Sequence, residues 1–239
     1  ETVLDDLARQ LEACLDAGVD VVLVHGAGSF GHLKAKAYRL AEGKVNDGNL
    51  PSEMTQEEAV ADVRSDMLEL NQHVMDALTK HDISAVSLSP HRWAKNTGKE
   101  FLGDLGVFDG APTGIVVVTH GDVVECDPPM DFGILSGDDL VYRLATEVSG
   151  VKRLVFAMGG VEGVLSEPPT NENDEAKLIT VLTRDHPFEG EHMTDMDVTG
   201  GIGLKVTRGF QVAEHGVSVH MVSGEPVSYT HLTLPTIDR

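Results

Sequence analysis

A run of small residues between two histidines is the part of this sequence with the clearest chemical meaning. The octapeptide from His25 to His32 contains three glycines and follows directly on an apolar stretch at residues 19 to 24. Glycine has no side chain to keep an anion away from the backbone N–H groups, so a loop of this type between a strand and a helix suits phosphate. His32 adds a ring that can donate a hydrogen bond to a phosphate oxygen or pair with its charge. The segment predicts a phosphate-binding loop, and a tight strand-to-helix turn with incidental histidines is the alternative.

Two further glycine-containing segments occur where helices are predicted to begin. Residues 136 to 139 read Ser-Gly-Asp-Asp, and residues 199 to 205 read Thr-Gly-Gly-Ile-Gly-Leu-Lys. Each of the three segments falls at the predicted carboxyl end of a strand. Ligands of open α/β sheets bind at that edge, so we expect the three segments to share one site.

The elements that must position these segments alternate between helix and strand. Leu4, Leu7, Leu11 and Leu15 recur at helical spacing, and residues 55 to 58 have the form of a capping box before a long apolar stripe. The predicted helices are residues 3 to 17, 56 to 78, 140 to 148 and 201 to 215, and the predicted strands are residues 19 to 24, 83 to 88, 114 to 119, 153 to 157 and 217 to 222. Strands separated by helices predict a three-layer α/β/α, doubly wound and mainly parallel sheet. Residues 162 to 192 are predicted to form loops and a small hairpin, with disorder as the alternative.

Composition narrows the class of protein. The chain has 239 residues, with 39 acidic against 18 basic side chains and a formal net charge of −21. This balance argues against a nucleic-acid-binding surface and is typical of proteins from concentrated salt. No apolar stretch is long enough to span a bilayer, the N-terminal segment is amphipathic, and we expect a cytoplasmic protein with no membrane partner. Cys14 and Cys126 are predicted to be ordinary buried thiols.

Four segments, in this order, resemble isopentenyl phosphate kinases of the amino acid kinase superfamily. They are residues 25 to 32, residues 120 to 124 (His-Gly-Asp-Val-Val), residues 134 to 140, and residues 197 to 201 together with Lys205. The resemblance runs from about residue 3 to residue 225. His32 is its specific mark, because sister kinases for aspartate, glutamate, acetylglutamate or UMP lack a histidine in this setting.

The resemblance implies an activity, its ligands and the residues that carry it. The activity is ATP-dependent phosphorylation of isopentenyl phosphate to isopentenyl diphosphate, with Mg²⁺ arriving on ATP and no dedicated metal site in the protein. A homodimer is also expected. The implied catalytic residues are His32, Asp138 and Lys205, those at the substrate phosphate are Ala27, His32, Ser136 and Gly137, and those at the nucleotide are Gly26, Gly28, Gly159, Gly200, Gly201 and Lys205. Asp138 is expected to orient lysines, and Asp139 to be a first-turn acid of its helix.

The resemblance also predicts the domain organisation. Residues 1–227 are expected to form one kinase-like domain, with the acceptor half at about 1–150 and the nucleotide half at 151–227. The family's first strand, Lys-x-Gly-Gly-Ser, is absent from the sequence, and residues 228–239 are expected to be an artefactual tail because they lack acidic residues until Asp238.

Two alternatives to this function stay open. One is another small-molecule kinase of the superfamily, acting on a phosphonate, an amino acid or UMP, and the other is a non-catalytic nucleotide-binding relative. A further alternative concerns Val63, Met67 and Leu70, which line either a prenyl-tail pocket or plain core.

Overall fold

The computed structural model describes residues 3–28, 30–46, 48–159, 163–166, 178–183, 201–224 and 236–237. Helices occupy much of this part of the chain. They are α1 (Val3–Asp16), α2 (His32–Ala37), α3 (Gln56–Lys80), α4 (Gly106–Asp109), α5 (Gly137–Glu147) and α6 (Gly201–Glu214), with short 3₁₀ turns at Leu40–Glu42 and Pro90–Arg92.

The strands are short and alternate with these helices. They are β1 (Val22–His25), β2 (Ala85–Ser87), β3 (Ala94–Lys95), β4 (Leu102–Gly103), β5 (Val116–His120), β6 (Asp122–Glu125), β7 (Phe132–Leu135), β8 (Arg153–Met158), β9 (Val181–Leu182), β10 (Ser218–Ser223) and β11 (Thr236–Ile237). The predicted α/β class is therefore confirmed.

In the described residues the strands form three hydrogen-bonded sheets, where the sequence predicted a single one. The sheet that carries the glycine loop is parallel, with the order β1-β5-β2, and His25 is the register partner of His120. A second sheet has the order β8-β10-β11-β9, in which β8 and β10 are parallel. The third, β4-β3-β6-β7, contains antiparallel pairs, so the structure as a whole is mainly but not wholly parallel.

The parallel sheet β1-β5-β2 is covered on both faces, as a three-layer arrangement requires. Successive side chains of β5 alternate between the faces, because the side-chain period of a strand is two residues. Val116 and Val118 pack with Leu11 of α1 and Leu78 of α3. Val117, on the opposite face, packs in a cluster with leucines of α5. Burial on both faces explains the three consecutive valines at residues 116 to 118 of β5.

Helix α3 begins at the predicted capping box. The Thr55 side chain accepts from the Glu58 N–H at 3.1 Å, and the Glu58 carboxylate accepts from the Thr55 N–H at 2.8 Å. Val63 and Met67 are almost fully buried, Val63 in a cluster with side chains of the β6–β7 hairpin, and Leu70 is half-buried. Val63 and Met67 thus belong to the core, the second of the two alternatives, whereas Leu70 is in none of the core clusters formed by the described residues.

Four features differ from the sequence predictions or extend them. The antiparallel β6–β7 hairpin was not predicted, and Cys14 is exposed because it lies outside the leucine stripe of α1 that faces the core, whereas Cys126 is buried. Leu165 and Leu178 form an isolated antiparallel bridge, and most of the segment predicted as loops and a hairpin lies outside the described residues. Of the predicted tail, only residues 236–237 are described, and they pair with β10 and β9.

No helix among the described residues is both long and apolar enough to cross a membrane.

Candidate active site

The glycine loop begins where β1 ends. The Phe30 N–H donates to the Ala27 carbonyl at 2.8 Å, which closes a turn around Gly28, and Gly28 adopts a left-handed φ of 54°. Apart from the adjoining residues of the chain, no described residue has an atom within 4 Å of the position that a Cβ would take at Gly26 or Gly28. The backbone of the loop therefore faces open space, as close approach of an anion requires.

His32 is the first residue of α2, and its ring reaches back over the loop. Its Nδ1 donates to the Gly28 carbonyl at 2.8 Å. At the preceding residue, Gly31, φ is 70° and a Cβ would come within 3.2 Å of Val63 on α3, so the chain enters α2 in close contact with α3. Lys34 reinforces this contact by pairing with Asp62 at 2.5 Å and Asp66 at 2.9 Å. These contacts fix the start of α2, and with it His32, against α3.

The N-terminus of α5 lies against the glycine loop. The Gly121 N–H donates to the His25 carbonyl at 3.1 Å, and a Cβ at Gly121 would lie 3.4 Å from the Gly137 nitrogen. Ser136 is the N-cap of α5, where its hydroxyl oxygen accepts from the Asp139 N–H at 3.0 Å. The structure thus brings the segments at 25 to 28 and 136 to 139 together, while the hydroxyl of Ser136 already serves the helix.

Two consecutive carboxylates on α5 pair with two cations on α6. The Lys205 ammonium lies 2.6 Å from the Asp138 carboxylate, and the Arg208 guanidinium lies 2.7 Å from that of Asp139. Both aspartates are buried, whereas the Lys205 side chain keeps 29% of its surface exposed. The Lys205 ammonium also lies 5.2 Å from the ring centre of Phe156. Lys205 is therefore held by Asp138 yet open to solvent on another side, as a phosphate-binding lysine requires.

The remaining predicted nucleotide residues lie on the second sheet and α6. Gly159 follows β8 and faces open space, and Gly201 begins α6 with a left-handed φ of 52°. Gly200 lies outside the described residues. Lys205 contacts the α5 segment directly through Asp138, and the roles of the glycines stay predictions.

A polar cluster beneath the loop was missed by the sequence reasoning. The rings of His25 and His120 stack with their centres 5.1 Å apart, and His91 Nδ1 lies 2.7 Å from the Asp122 carboxylate beside them. Burial lowers the pKa of His25 and of His120 below the usual histidine value. The signal in the sequence was the equivalent position of the two histidines, each directly before a glycine at the end of an apolar strand.

Metal binding by side chains alone finds no support in the described residues. Among them, no group of three or more histidine, cysteine, aspartate or glutamate side chains is arranged to hold an ion. The arrangement suits a site in which backbone N–H groups, His32 and Lys205 meet phosphate groups, with Asp138 holding the lysine.

Comparison with known proteins identifies the class. Residues 1–223 match the amino acid kinase family, and the chain belongs to that family. Its relatives include an isopentenyl phosphate kinase of Methanocaldococcus jannaschii, 29% identical over 210 residues that cover 85% of this chain and 76% of that protein. An isopentenyl phosphate kinase of Thermoplasma acidophilum is 31% identical over 191 residues, which cover 77% and 68%. An X-ray structure of isopentenyl phosphate kinase superposes with a TM-score of 0.73 at 25% identity, covering 93% of this chain and 82% of the other.

Proposed function

We propose that this kinase transfers the γ-phosphoryl group of ATP to isopentenyl phosphate, forming isopentenyl diphosphate and ADP. The two relatives described above are isopentenyl phosphate kinases, which supports this choice of substrate. The structural observation on which the proposal depends is the position of His32. Its Nδ1 donates to the Gly28 carbonyl, so Nε2 points away from that bond. Protonated at both nitrogens, the ring donates through Nε2 to an oxygen of a phosphate group beside the loop.

The reaction needs alignment and charge neutralisation more than covalent help from the protein. An oxygen of the isopentenyl phosphate attacks the γ-phosphorus while the bond from that phosphorus to the β-bridging oxygen breaks, which releases ADP. No general base is required, because a phosphate monoester is largely ionised near neutral pH. In this proposal, the N–H groups of the glycine loop and His32 bind the acceptor phosphate, and Gly137 provides a further backbone N–H at the start of α5.

Lys205 is proposed to neutralise the charge that develops on the transferring group. Asp138 holds its ammonium at 2.6 Å, which fixes the position of the positive charge before the substrates bind. A cation placed in advance stabilises a transition state more than one that must reorganise during the reaction. Mg²⁺ would arrive bound to ATP, so the residues that bind the ATP phosphates, Lys205 among them, would hold it through the nucleotide. It would supply further neutralisation of the phosphate charge.

The experiment is an ADP-release assay on the full-length gene product with a panel of acceptors. The panel contains isopentenyl phosphate, dimethylallyl phosphate, fosfomycin, glutamate and UMP. We expect the highest kcat/KM with isopentenyl phosphate. A higher value with fosfomycin, glutamate or UMP would assign the chain to a sister kinase, and ATP binding without turnover of any acceptor would favour a non-catalytic relative.

A further inference from the structure

The stacked histidines lie directly under the glycine loop. His25 and His120 are the last residues of β1 and β5, they are register partners, and the residues that follow them are Gly26 and Gly121. Their ring planes are inclined by 30°. His120 is fully buried and His25 half-buried.

The ring of His25 orients the first peptide group of the loop. Its Nδ1 lies 2.9 Å from the Gly26 carbonyl oxygen. A peptide group is planar and trans, so its C=O and N–H point in opposite directions. With the Gly26 carbonyl directed at the ring, the Ala27 N–H is directed away from it. No group in the described part of the chain accepts from that N–H, which leaves it available to an anion.

The other nitrogen of His25 also faces an acceptor. Nε2 lies 3.3 Å from Oδ1 of Asn71, a buried residue of α3 whose Nδ2 donates to the Ser87 hydroxyl at 2.8 Å. A carbonyl and an amide oxygen only accept, so both contacts are satisfied together only when both ring nitrogens carry protons. When the ring is neutral with its proton on Nδ1, the contacts are satisfied by turning the Asn71 side-chain amide over. Asn71 Nδ2 then donates to His25 Nε2, and the Ser87 hydroxyl donates to Asn71 Oδ1. Asn71 and Ser87 thus accommodate either charge state without movement of the loop.

The surroundings of His25 favour the neutral ring when no anion is bound. Burial lowers its pKa, and the neighbouring His120 acts in the same direction, while hydrogen bonds to Gly26 and Asn71 act in the opposite direction. The elements that contact His25 present His120 from β5, the uncharged Asn71 from α3 and the backbone of Gly137 from α5. None of these supplies a negative charge, and the Asp122 carboxylate of the polar cluster pairs with His91 and acts on the pKa of His120. A phosphate dianion on the loop would therefore be the main new influence favouring the protonated His25 ring.

We propose that His25 is a positioning residue for the acceptor phosphate, which holds the Ala27 N–H toward the anion and takes up one proton from solvent when the anion binds. The choice of isopentenyl phosphate as the anion rests on the proposed function. Because the protonated ring belongs to the bound state, binding weakens as the pH rises. The pKa of the His25 ring in the free protein lies below the ordinary value of 6.5. As the pH rises from that pKa to the pKa of the ring in the complex, KM for the acceptor increases by up to about tenfold per pH unit.

Two substitutions separate the two parts of this role. In His25→Asn, the side-chain amide nitrogen is as many bonds from Cβ as Nδ1 and donates to the Gly26 carbonyl, but it does not titrate. In His25→Leu, both the hydrogen bond and the titration are lost. We expect KM for isopentenyl phosphate to rise about tenfold or more in the leucine variant at pH 7, because the hydrogen bond that orients the loop is lost. In the asparagine variant KM should lose the part of its pH dependence that His25 contributes, and kcat should change less than KM in both variants.

Proton uptake is measured by calorimetry of isopentenyl phosphate binding in buffers with different ionisation enthalpies. We expect His25→Asn to take up about one proton fewer than the wild type, and His32→Gln, the control, to keep the contribution of His25. Equal proton uptake in the wild type and His25→Asn would overturn the proposal, as would an unchanged KM in His25→Leu. Failure of the wild type to bind isopentenyl phosphate at all would instead contradict the proposed substrate. The same titration with ADP and with inorganic phosphate as probes then tests whether His25 responds to any phosphate on the loop.

Discussion

Neutralising Asp138 tests the proposed role of Lys205 more directly than any other substitution. Asp138→Asn keeps the shape of the side chain but removes the negative charge 2.6 Å from the ammonium. A hydrogen bond between charged partners contributes about 1.5–3 kcal/mol, and its loss in the transition state lowers the rate by roughly 10- to 150-fold. Since Lys205 also contacts the Phe156 ring, we expect it to remain nearby but less well aligned. The effect should therefore appear mainly in kcat.

The adjacent carboxylate provides a matched control. Asp139 lies on the same turn of α5 and pairs with Arg208 at 2.7 Å, but both of these side chains are less exposed than Lys205, with 8% and 13% of their surfaces accessible. Asp139→Asn should therefore lower the stability, by about 1.5–3 kcal/mol, and leave kcat within about twofold of the wild type. For a chain of this size, that loss corresponds to about 3–12 °C in Tm.

The assay measures kcat and KM for both substrates by ADP release, at a temperature well below the Tm of every variant. Two results would refute the reasoning. One is an equal loss of kcat in the two variants, which would show that the α5–α6 contact acts only through stability. The other is an unchanged kcat in Asp138→Asn, which would remove Lys205 from the transferring group.

Three further predictions concern the loop, pH and salt. His32→Ala should lower kcat/KM for isopentenyl phosphate roughly 10- to 150-fold, because one charge-assisted hydrogen bond of about 1.5–3 kcal/mol is lost. The Kd of ATP, from calorimetry, should stay constant, and equal losses for both ligands would contradict the assignment. Burial lowers the pKa of both His25 and His120, so at acid pH the unfolded chain binds more protons than the folded protein. The free energy of unfolding should therefore fall as the pH drops below 6.5, by at most about 1.4 kcal/mol per pH unit for each ring. The free energy of unfolding, measured by urea titration at a series of pH values, should depend less steeply on pH in His120→Gln than in the wild type. An identical pH dependence would show that His120 does not contribute. The net charge of −21 predicts a higher Tm in molar KCl than at low salt, since salt screens like-charge repulsion; a flat or falling Tm would argue against adaptation to salt.

The elements that the sequence predicted well are those with local signals. The capping box at Thr55 and Glu58 depends on residues three apart, and the structure contains both of its hydrogen bonds. The apolar run before His25 predicted a strand, and β1 occupies its end together with the histidine itself. The glycine loop and the start of α5 meet as expected, but the expected reason is wrong. Helix α5 follows β7, which lies in the sheet β4-β3-β6-β7 and is antiparallel to β6, so the edge shared by parallel strands does not account for the meeting.

The contacts that were missed join residues far apart in the chain. Asp139 was expected to be a first-turn acid of its helix, which it is, but its partner Arg208 lies 69 residues away and no local pattern relates the two. The stack of His25 on His120 depends in the same way on strand register. The hairpin of β6 and β7 was missed because its connection, residues 126 to 131, contains two prolines and no short turn signal such as Asn-Gly.

The paired contacts between α5 and α6 have a consequence for how this protein can change over generations. Asp139 and Arg208 form an ion pair, so a substitution at either position leaves the other charge without its partner. We therefore expect substitutions at the two positions to occur together. An exchange of both charges can restore such a pair. Asp138 and Lys205 do not have this freedom, because in the proposed reaction the positive member must face the phosphates. The contact between α5 and α6 would thus contain one ion pair whose two residues can be replaced together and one ion pair whose residues must each keep their charge.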